Sequence, residues 1–468
     1  MSKVLLVFPY QAIKEEFLKN EKFLILDVNG LSYFNEKTLK REIFEEAGEI
    51  YYQLNELRDN LNWWVPIFER WIGKSFLFEE YRIKILKLVN YLTEVDNKYR
   101  IKKIIHFTAV PHHIISIAIN IFGLKSGIDQ IFFYPCIFDG RLVPILQDKN
   151  GNRHVINYKL NEINYDKLIN EFIENKLKGK FPKVNTKITK LKKSYLYIYF
   201  LLLLKFIKNN FFRIQKVTTY ENNMFFFKED LFSISNYLEI IIRQKKFLKF
   251  YKKNSLSEII FLKELKKTKK VFLIAAHYQP EATSFPEGSS YMNHIDIVNK
   301  LRKIGYRKKI YYKEHSASNM YTDLPNIFVT KVSIYKNIPY LQYLKKLNVS
   351  FIKETIPLNL DDIYSEMYLP ITISGSIAIE RSLVGLKTIV SGKPIFSGLP
   401  GTIDLDEIKC KDFLAKLNLK RDDGIATAAR IFLKKLFDKN TIANNYGIGT
   451  GTKTNEDNHQ LVKFLKNL

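Results

Sequence analysis

Apolar residues along this chain fall in short continuous runs, separated by longer stretches in which they recur every three or four positions. Short runs bounded by turn residues predict strands, and the three-to-four period predicts amphipathic helices. In the first part, Val4–Phe8, Phe23–Val28, Ile104–Thr108 and Gln130–Tyr134 have the strand pattern, and Glu36–Asn60 and His112–Phe122 have the helical one. The same rhythm returns at 271–276 (VFLIAA). Strand-like Lys309–Tyr312, Ile327–Thr330, Val349–Ile352, Ile371–Ser374 and Thr388–Val390 alternate there with helix-like Met292–Lys303, Ile338–Leu347 and Ile377–Val384. Ile425–Leu436 and His459–Leu468 close the chain with a helical period. Alternation of this kind predicts an α/β fold with parallel sheets and helices on both faces.

Residues 181–270 break the rhythm, with much Lys, Phe, Tyr, Leu and Ile and little glycine or proline. The expected organisation is an N-terminal Rossmann-like domain at 1–180, a basic aromatic helical connecting segment at 181–270, a second Rossmann-like domain at 271–440 and a helical tail at 441–468. A chain of 468 residues is long enough for two or three cores. The apolar run Tyr195–Leu204 is half the length a spanning helix needs, about 20 residues, and lysines flank it, so no transmembrane helix is expected.

The formal net charge of +26 points to polyanionic partners, although a lysine-rich composition runs through the whole chain. The charge is uneven: 181–270 holds 21 Lys and Arg against 6 Asp and Glu. Two readings of that segment stand together: a helical connection packed between domains, and a basic aromatic surface against an anionic membrane. Only Cys136 and Cys410 are present, which excludes a disulfide framework and a Cys-rich zinc site. The opening MSKVLLVFPYQAIKEE breaks at Pro9 and turns charged, which suits a first strand rather than a signal peptide; the expected location is the cytoplasm.

The chemistry gathers at predicted strand ends, where open α/β sheets bind ligands. After VFLIAA come His277, Gln279 and Glu281, which share one side if the chain is extended. Glu281 is a candidate catalytic base or nucleophile, or a turn cap before Pro286. Lys313, Glu314 and His315 end a later strand. His315 is a candidate donor to a phosphate oxygen or leaving group, and Lys313 points away from Glu314 in an extended chain. Ser374, Gly375 and Ser376 lie between a strand and a helix, an arrangement that attracts an anion. Glu380, four residues after Ser376, faces the same side as a hydroxyl acceptor; the plainer reading has Ser376 capping the helix. His112 and His113 follow a strand of the first domain as acceptor-side candidates, with core or capping roles as the alternative. Asp404-Leu405-Asp406 has a metal-binding spacing but follows a Pro/Gly loop, and Gly447–Lys453 lacks the phosphate-loop spacing, so no metal and no phosphate loop are expected.

Taken together, HYQPEATSFPEG, YYKEHS and ISGSIAIERSLVGLKTIVSGKPIF resemble the bacterial capsule polysaccharide biosynthesis family, which includes Kdo transferases of surface carbohydrate assembly. The resemblance covers about residues 270–400. It implies a GT-B fold, with two Rossmann-like domains facing a cleft, and metal-independent sugar transfer from a nucleotide donor. A CMP-activated ulosonic acid such as Kdo, or a sialic-acid-like sugar, would pass to a capsule, lipopolysaccharide or other glycan or glycolipid acceptor. It also implies that His315 and the Ser374–Ser376 turn hold the nucleotide phosphate and that Glu281 stands at the family's acidic position. Ser316 departs from the pattern, which has proline after the histidine. No cofactor beyond the nucleotide-sugar donor, and no nucleic acid, is expected. The alternatives are a nucleotide-sugar epimerase of the same architecture and a non-enzymatic basic module binding nucleic acid.

Overall fold

The computed structural model describes residues 3–7, 11–17, 20–27, 30–31, 78–108, 114–138, 141–158, 165–177, 246–268, 270–277, 288–291, 293–315, 337–356, 358, 363–437, 440–443 and 459–468. In chain order the first unit comprises β1 (Lys3–Val7), α1 (Gln11–Phe17), β2 (Phe23–Asp27), β3 (Gly30–Leu31), α2 (Phe78–Tyr99), β4 (Ile101–His106), α3 (Ile114–Lys125), β5 (Asp129–Pro135), β6 (Arg141–Gln147), β7 (Arg153–Val155) and α4 (Tyr165–Leu177). The second comprises helical residues 246–254 (α5), β8 (Ser255–Leu256), α6 (Glu258–Thr268), β9 (Val271–Ala275), α7 (His294–Lys303), β10 (Ile310–Lys313), α8 (Ile338–Lys346), β11 (Val349–Ile352), β12 (Tyr368–Thr372), α9 (Ile377–Leu383), β13 (Thr388–Val390), β14 (Thr402–Asp404), α10 (Phe413–Lys416) and α11 (Asp423–Phe437). β15 (Ile442–Ala443) and α12 (His459–Lys466) follow.

The expected α/β architecture of two Rossmann-like units is present. The first sheet has the order β15-β6-β5-β4-β1-β2-β3, with β7 beside β6. Its centre, β5-β4-β1-β2, is parallel, and the flanking strands β3, β6 and β15 pair antiparallel. The second sheet, β14-β13-β12-β9-β10-β11-β8, is parallel throughout. Both faces of a parallel sheet are covered, so its strands are continuous apolar runs; VFLIA of β9 is an example, with its first four residues buried. One face of the second sheet packs on α5, α7 and α8 through Phe247, Tyr251, Val298 and Leu341. The other packs on α6 through Phe261 and Leu265. α9 and α11 share a core with Phe138, Tyr165 and Ile169 of the first unit.

Two parts of the expected organisation are drawn differently in space. The described part of the 181–270 segment, 246–270, builds into the second unit: Tyr251 is buried in its core and β8 adds an edge strand to its sheet. The apolar run Tyr195–Leu204 lies outside the described residues. The tail belongs to the first unit. β15 pairs with β6, and Leu461, Phe464 and Leu465 of α12 pack with Leu6, Ile105 and Phe133. Among the described residues no helix is long and apolar enough to cross a membrane.

Candidate functional site at the strand-order reversal of the second sheet

Successive strands of the second sheet step from β9 through β10 to β11, and the chain then returns to lay β12 on the other side of β9. Crossovers on the two sides of β9 lie on opposite faces, so their loops part and leave a crevice at the carboxyl ends of β9 and β12. β12 begins at Tyr368, includes Pro370 and ends at Thr372, earlier than the apolar run suggested, which leaves Ser374 and Gly375 in the turn at this crevice.

Ile371 pairs with Ile274 in the ladder, so His277, beyond the end of β9, lies level with Ser374. Its Nε2 is 2.8 Å from Thr372 Oγ1 and accepts from the Ser374 amide at 3.2 Å. An accepting Nε2 puts the proton of the neutral ring on Nδ1. Thr372 Oγ1 also accepts from the Gly375 amide at 3.1 Å. A Cβ on Gly375 would stand 2.6 Å from Thr372 Oγ1 and 3.2 Å from His277 Nε2, so the turn closes this tightly only around glycine. Behind His277, its backbone amide donates to His294 Nε2 at 3.1 Å, and His294 Nδ1 faces the Tyr340 hydroxyl at 3.4 Å. His294 is the first residue of α7, and Asn293 caps that helix by accepting from the Ile295 amide.

The neighbouring tip, at the end of β10, is organised by tyrosines. Glu314 is buried; its Oε2 accepts from the Tyr312 hydroxyl at 3.0 Å and its Oε1 from the His315 amide at 2.9 Å. The Tyr251 hydroxyl accepts from the Glu314 amide at 2.9 Å and donates to the Ile352 carbonyl, closing the ladder between β10 and β11. Burial, reinforced by the Glu314 charge, holds the hydroxyls of Tyr251 and Tyr312 well above the usual phenol range, so both stay protonated donors. Lys313 is half-buried, and desolvation pulls its ammonium below the usual lysine value against the opposing charges of Glu354 and Glu314. Glu354 is buried at the carboxyl end of β11, 3.9 Å from Lys252, and its Oε2 has no hydrogen-bond partner among the described residues.

The structure joins His277, Ser374 and Gly375 directly. It sets Lys313, Glu314 and His315 on the adjacent strand, linked by the Ala276 amide donating to the Lys313 carbonyl at 2.9 Å. His315 is exposed. Glu314 turns inward, so its part in the site is to hold the chain at His315. The amides of Ser374 and Gly375 are taken by His277 and Thr372, and the first helical bond runs from the Ala378 amide to the Gly375 carbonyl. Ser376 does not cap α9 through its side chain; its hydroxyl donates to Glu380 Oε1 at 2.8 Å. Gln279, Glu281, His112, His113 and Gly447–Lys453 lie outside the described residues. Asp404 caps a short turn by accepting from the Asp406 amide, and Asp406 binds the Lys300 ammonium and the Tyr291 hydroxyl. Sequence reasoning missed Thr372, His294, Tyr251 and Glu354. For His294 a signal existed: a histidine directly after an asparagine N-cap, at the start of the helix that follows β9.

The first sheet has its own order reversal, between β1 and β4, and His106 ends β4 there, in register with Val7. Its ring is buried, stacked on Phe132, with Nε2 donating to Gln130 Oε1 at 2.9 Å. Asn120 bridges Gln130 and Gln147 in the same network. Desolvation lowers its pKa to about 4, so the ring is neutral near pH 7.

No protein-family model matches the chain, and no curated protein matches it by sequence. The likeness to the capsule family therefore rests on the motifs alone. Among solved structures, the chain is similar to UDP-GlcNAc 2-epimerase from Methanocaldococcus jannaschii, at 13% identity over 93% of this chain and 98% of that one, with a TM-score of 0.23. The enzyme of that name from Neisseria meningitidis, bound to UDP-GlcNAc, matches at 12% identity over 93% and 99%, with a TM-score of 0.20. The S. aureus MnaA–UDP co-structure matches at 12% identity over 100% and 98%, with a TM-score of 0.22. Superpositions this loose establish no activity; the two-unit α/β fold stands on the strand topology itself.

Proposed function

We propose that this chain is an enzyme of nucleotide-activated sugars that grips the donor's phosphate at the tips of β12, β9 and β10. The observation that carries the reading is the bonded cluster of His277, Thr372, Ser374 and Gly375 at the strand-order reversal. An imidazole held by two partners, beside a glycine turn and the first amides of a helix, is a pre-organised cradle for an anionic group. His315 at the next strand tip supplies an exposed imidazole to a leaving phosphate, and Lys313 adds positive charge on the same strand.

The finer reading is transfer of the sugar, a CMP-linked ulosonic acid by the motif resemblance, to a glycan or glycolipid acceptor. Positioning two substrates and stabilising the departing phosphate supply the rate enhancement. The same cradle also serves epimerisation of the bound sugar, which needs no acceptor.

Thermal melting with CMP, UDP and GDP tests the site. A ligand at 100 times its dissociation constant adds about 2.7 kcal/mol to the folded state. A melting shift with one nucleotide that vanishes in Thr372→Val and His315→Ala supports the cradle. No shift with any nucleotide, together with salt-sensitive binding to DNA, refutes it. Product analysis with donor alone then separates the chemistries, because only an epimerase converts it without an acceptor.

A further inference from the structure

Four large apolar side chains are exposed among the described residues, and two of them adjoin: Ile259 at 68% and Ile260 at 47%. Both lie in the first turn of α6. Helical spacing sets Lys263, Lys266 and Lys267, all exposed, on the same outward face, Lys266 with its ammonium 5.4 Å from the Tyr364 ring centroid, while Phe261 and Leu265 bury the inward one. The isoleucines occupy one end of that face and the lysines the other. α5 just before it exposes Lys246, Lys249, Lys252 and Lys253. Over 246–270 the chain carries nine lysines against two glutamates, Glu258 and Glu264. Glu264 is paired with Lys309 and accepts from the Tyr311 hydroxyl.

Topology fixes where this face lies. β8 is parallel to its neighbour, so α6 starts at the carboxyl edge of the second sheet, the edge that carries His277 and His315. An isolated exposed isoleucine needs no explanation. A contiguous pair, continued by a run of lysines with no unpaired acid on the same face, is the composition of a surface that sits in a lipid interface.

We propose that α6 docks the protein on an anionic bilayer. Ile259 and Ile260 enter the boundary between headgroups and acyl chains, and Lys263, Lys266 and Lys267 contact the lipid phosphates. Docked this way, the isoleucine end of α6, at the carboxyl edge of the second sheet, is the part that enters the bilayer. The proposal is independent of which nucleotide the site holds.

Co-flotation of the full chain with vesicles of equal parts phosphatidylglycerol and phosphatidylcholine tests it, beside vesicles of phosphatidylcholine alone. Binding is expected to the anionic vesicles and to fall as salt rises. Ile259→Ser/Ile260→Ser lowers the partition coefficient by at least about tenfold. Lys263→Gln/Lys266→Gln/Lys267→Gln lowers it about a hundredfold. Both sets are surface changes, and unchanged melting temperatures will confirm intact folds. Anionic-vesicle binding that both variants retain in full overturns the proposal, because the contact then lies elsewhere in the chain. Equal binding to neutral vesicles overturns it too. So does an isoleucine-dependent dimer in sedimentation that binds no vesicles, since a second copy then covers the face.

Discussion

Gly375 and Thr372 offer a stringent test of the cradle, because one oxygen atom couples them. In Gly375→Ala the new methyl would stand 2.6 Å from Thr372 Oγ1, a distance two such atoms do not adopt. Gly375 is not among the residues of positive φ, so the cost is contact and not backbone conformation. If the threonine side chain turns away, its bonds to His277 and to the Gly375 amide are both lost, at about 1 kcal/mol each. If the backbone yields instead, overpacking costs about 1–3 kcal/mol. Either route gives about 2 kcal/mol. Thr372→Ala removes the same two bonds and costs about as much. In the double variant the oxygen is absent, and the nearest remaining atom, His277 Nε2 at 3.2 Å, gives with a small shift. The double variant is therefore expected to match Thr372→Ala alone, a coupling of about 2 kcal/mol. Urea midpoints at a common slope measure all four proteins, and nucleotide affinity is expected to fall in parallel. Additivity within about 0.5 kcal/mol, as independent sites show, would refute the bonded cluster.

Two further outcomes follow from groups outside the cradle. His106 has a folded pKa of about 4 and an ordinary unfolded value near 6.5, so below pH 6.5 the unfolded chain binds the extra proton. Stability is complete above that pH and falls as pH drops, by about 3 kcal/mol at pH 4; His106→Gln should remove that part of the pH slope, and an unchanged slope would show that the ring is not buried neutral. Gly385 has φ 78°, and a Cβ there would stand 2.4 Å from the Asp422 carbonyl, whereas at Gly398, φ 84°, the nearest atom is 4.0 Å away. Gly385→Ala is expected to cost about 3 kcal/mol and Gly398→Ala about 1 kcal/mol in urea unfolding; equal costs would mean the 385–422 contact is absent.

The second sheet was legible where burial on both faces made strands unambiguous. Val349–Ile352 and Thr388–Val390 match their apolar runs residue for residue, and β9 differs by one. β12 was misjudged because Pro370 breaks a strand pattern, although a proline is tolerated where its missing N–H falls outside the ladder. The carboxyl edge was legible because strand-end residues cluster in the sequence itself. What held it together was not, since the bonds joining His277 to Thr372 and Glu314 to Tyr251 span 95 and 63 positions. Periodicity reports which face a residue takes, not which distant partner meets it. The same limit hid β15: Ile442 and Ala443 are too short a run to predict a strand, and only the waiting edge of β6 makes them one.

That late return has a consequence for how the protein is made. Synthesis proceeds from the amino end, and domains ordinarily fold as they emerge. Here one core of the first sheet holds Ile13 and Phe17 of α1 from the outset, and Leu461, Phe464 and Leu465 join it only at the far end of the sequence. At about 5–20 residues per second, the stretch from β7 to α12 takes roughly 15–60 s to translate. Throughout that interval the apolar side chains that α12 later meets lack this partner, so the first unit completes its core after the second has been made.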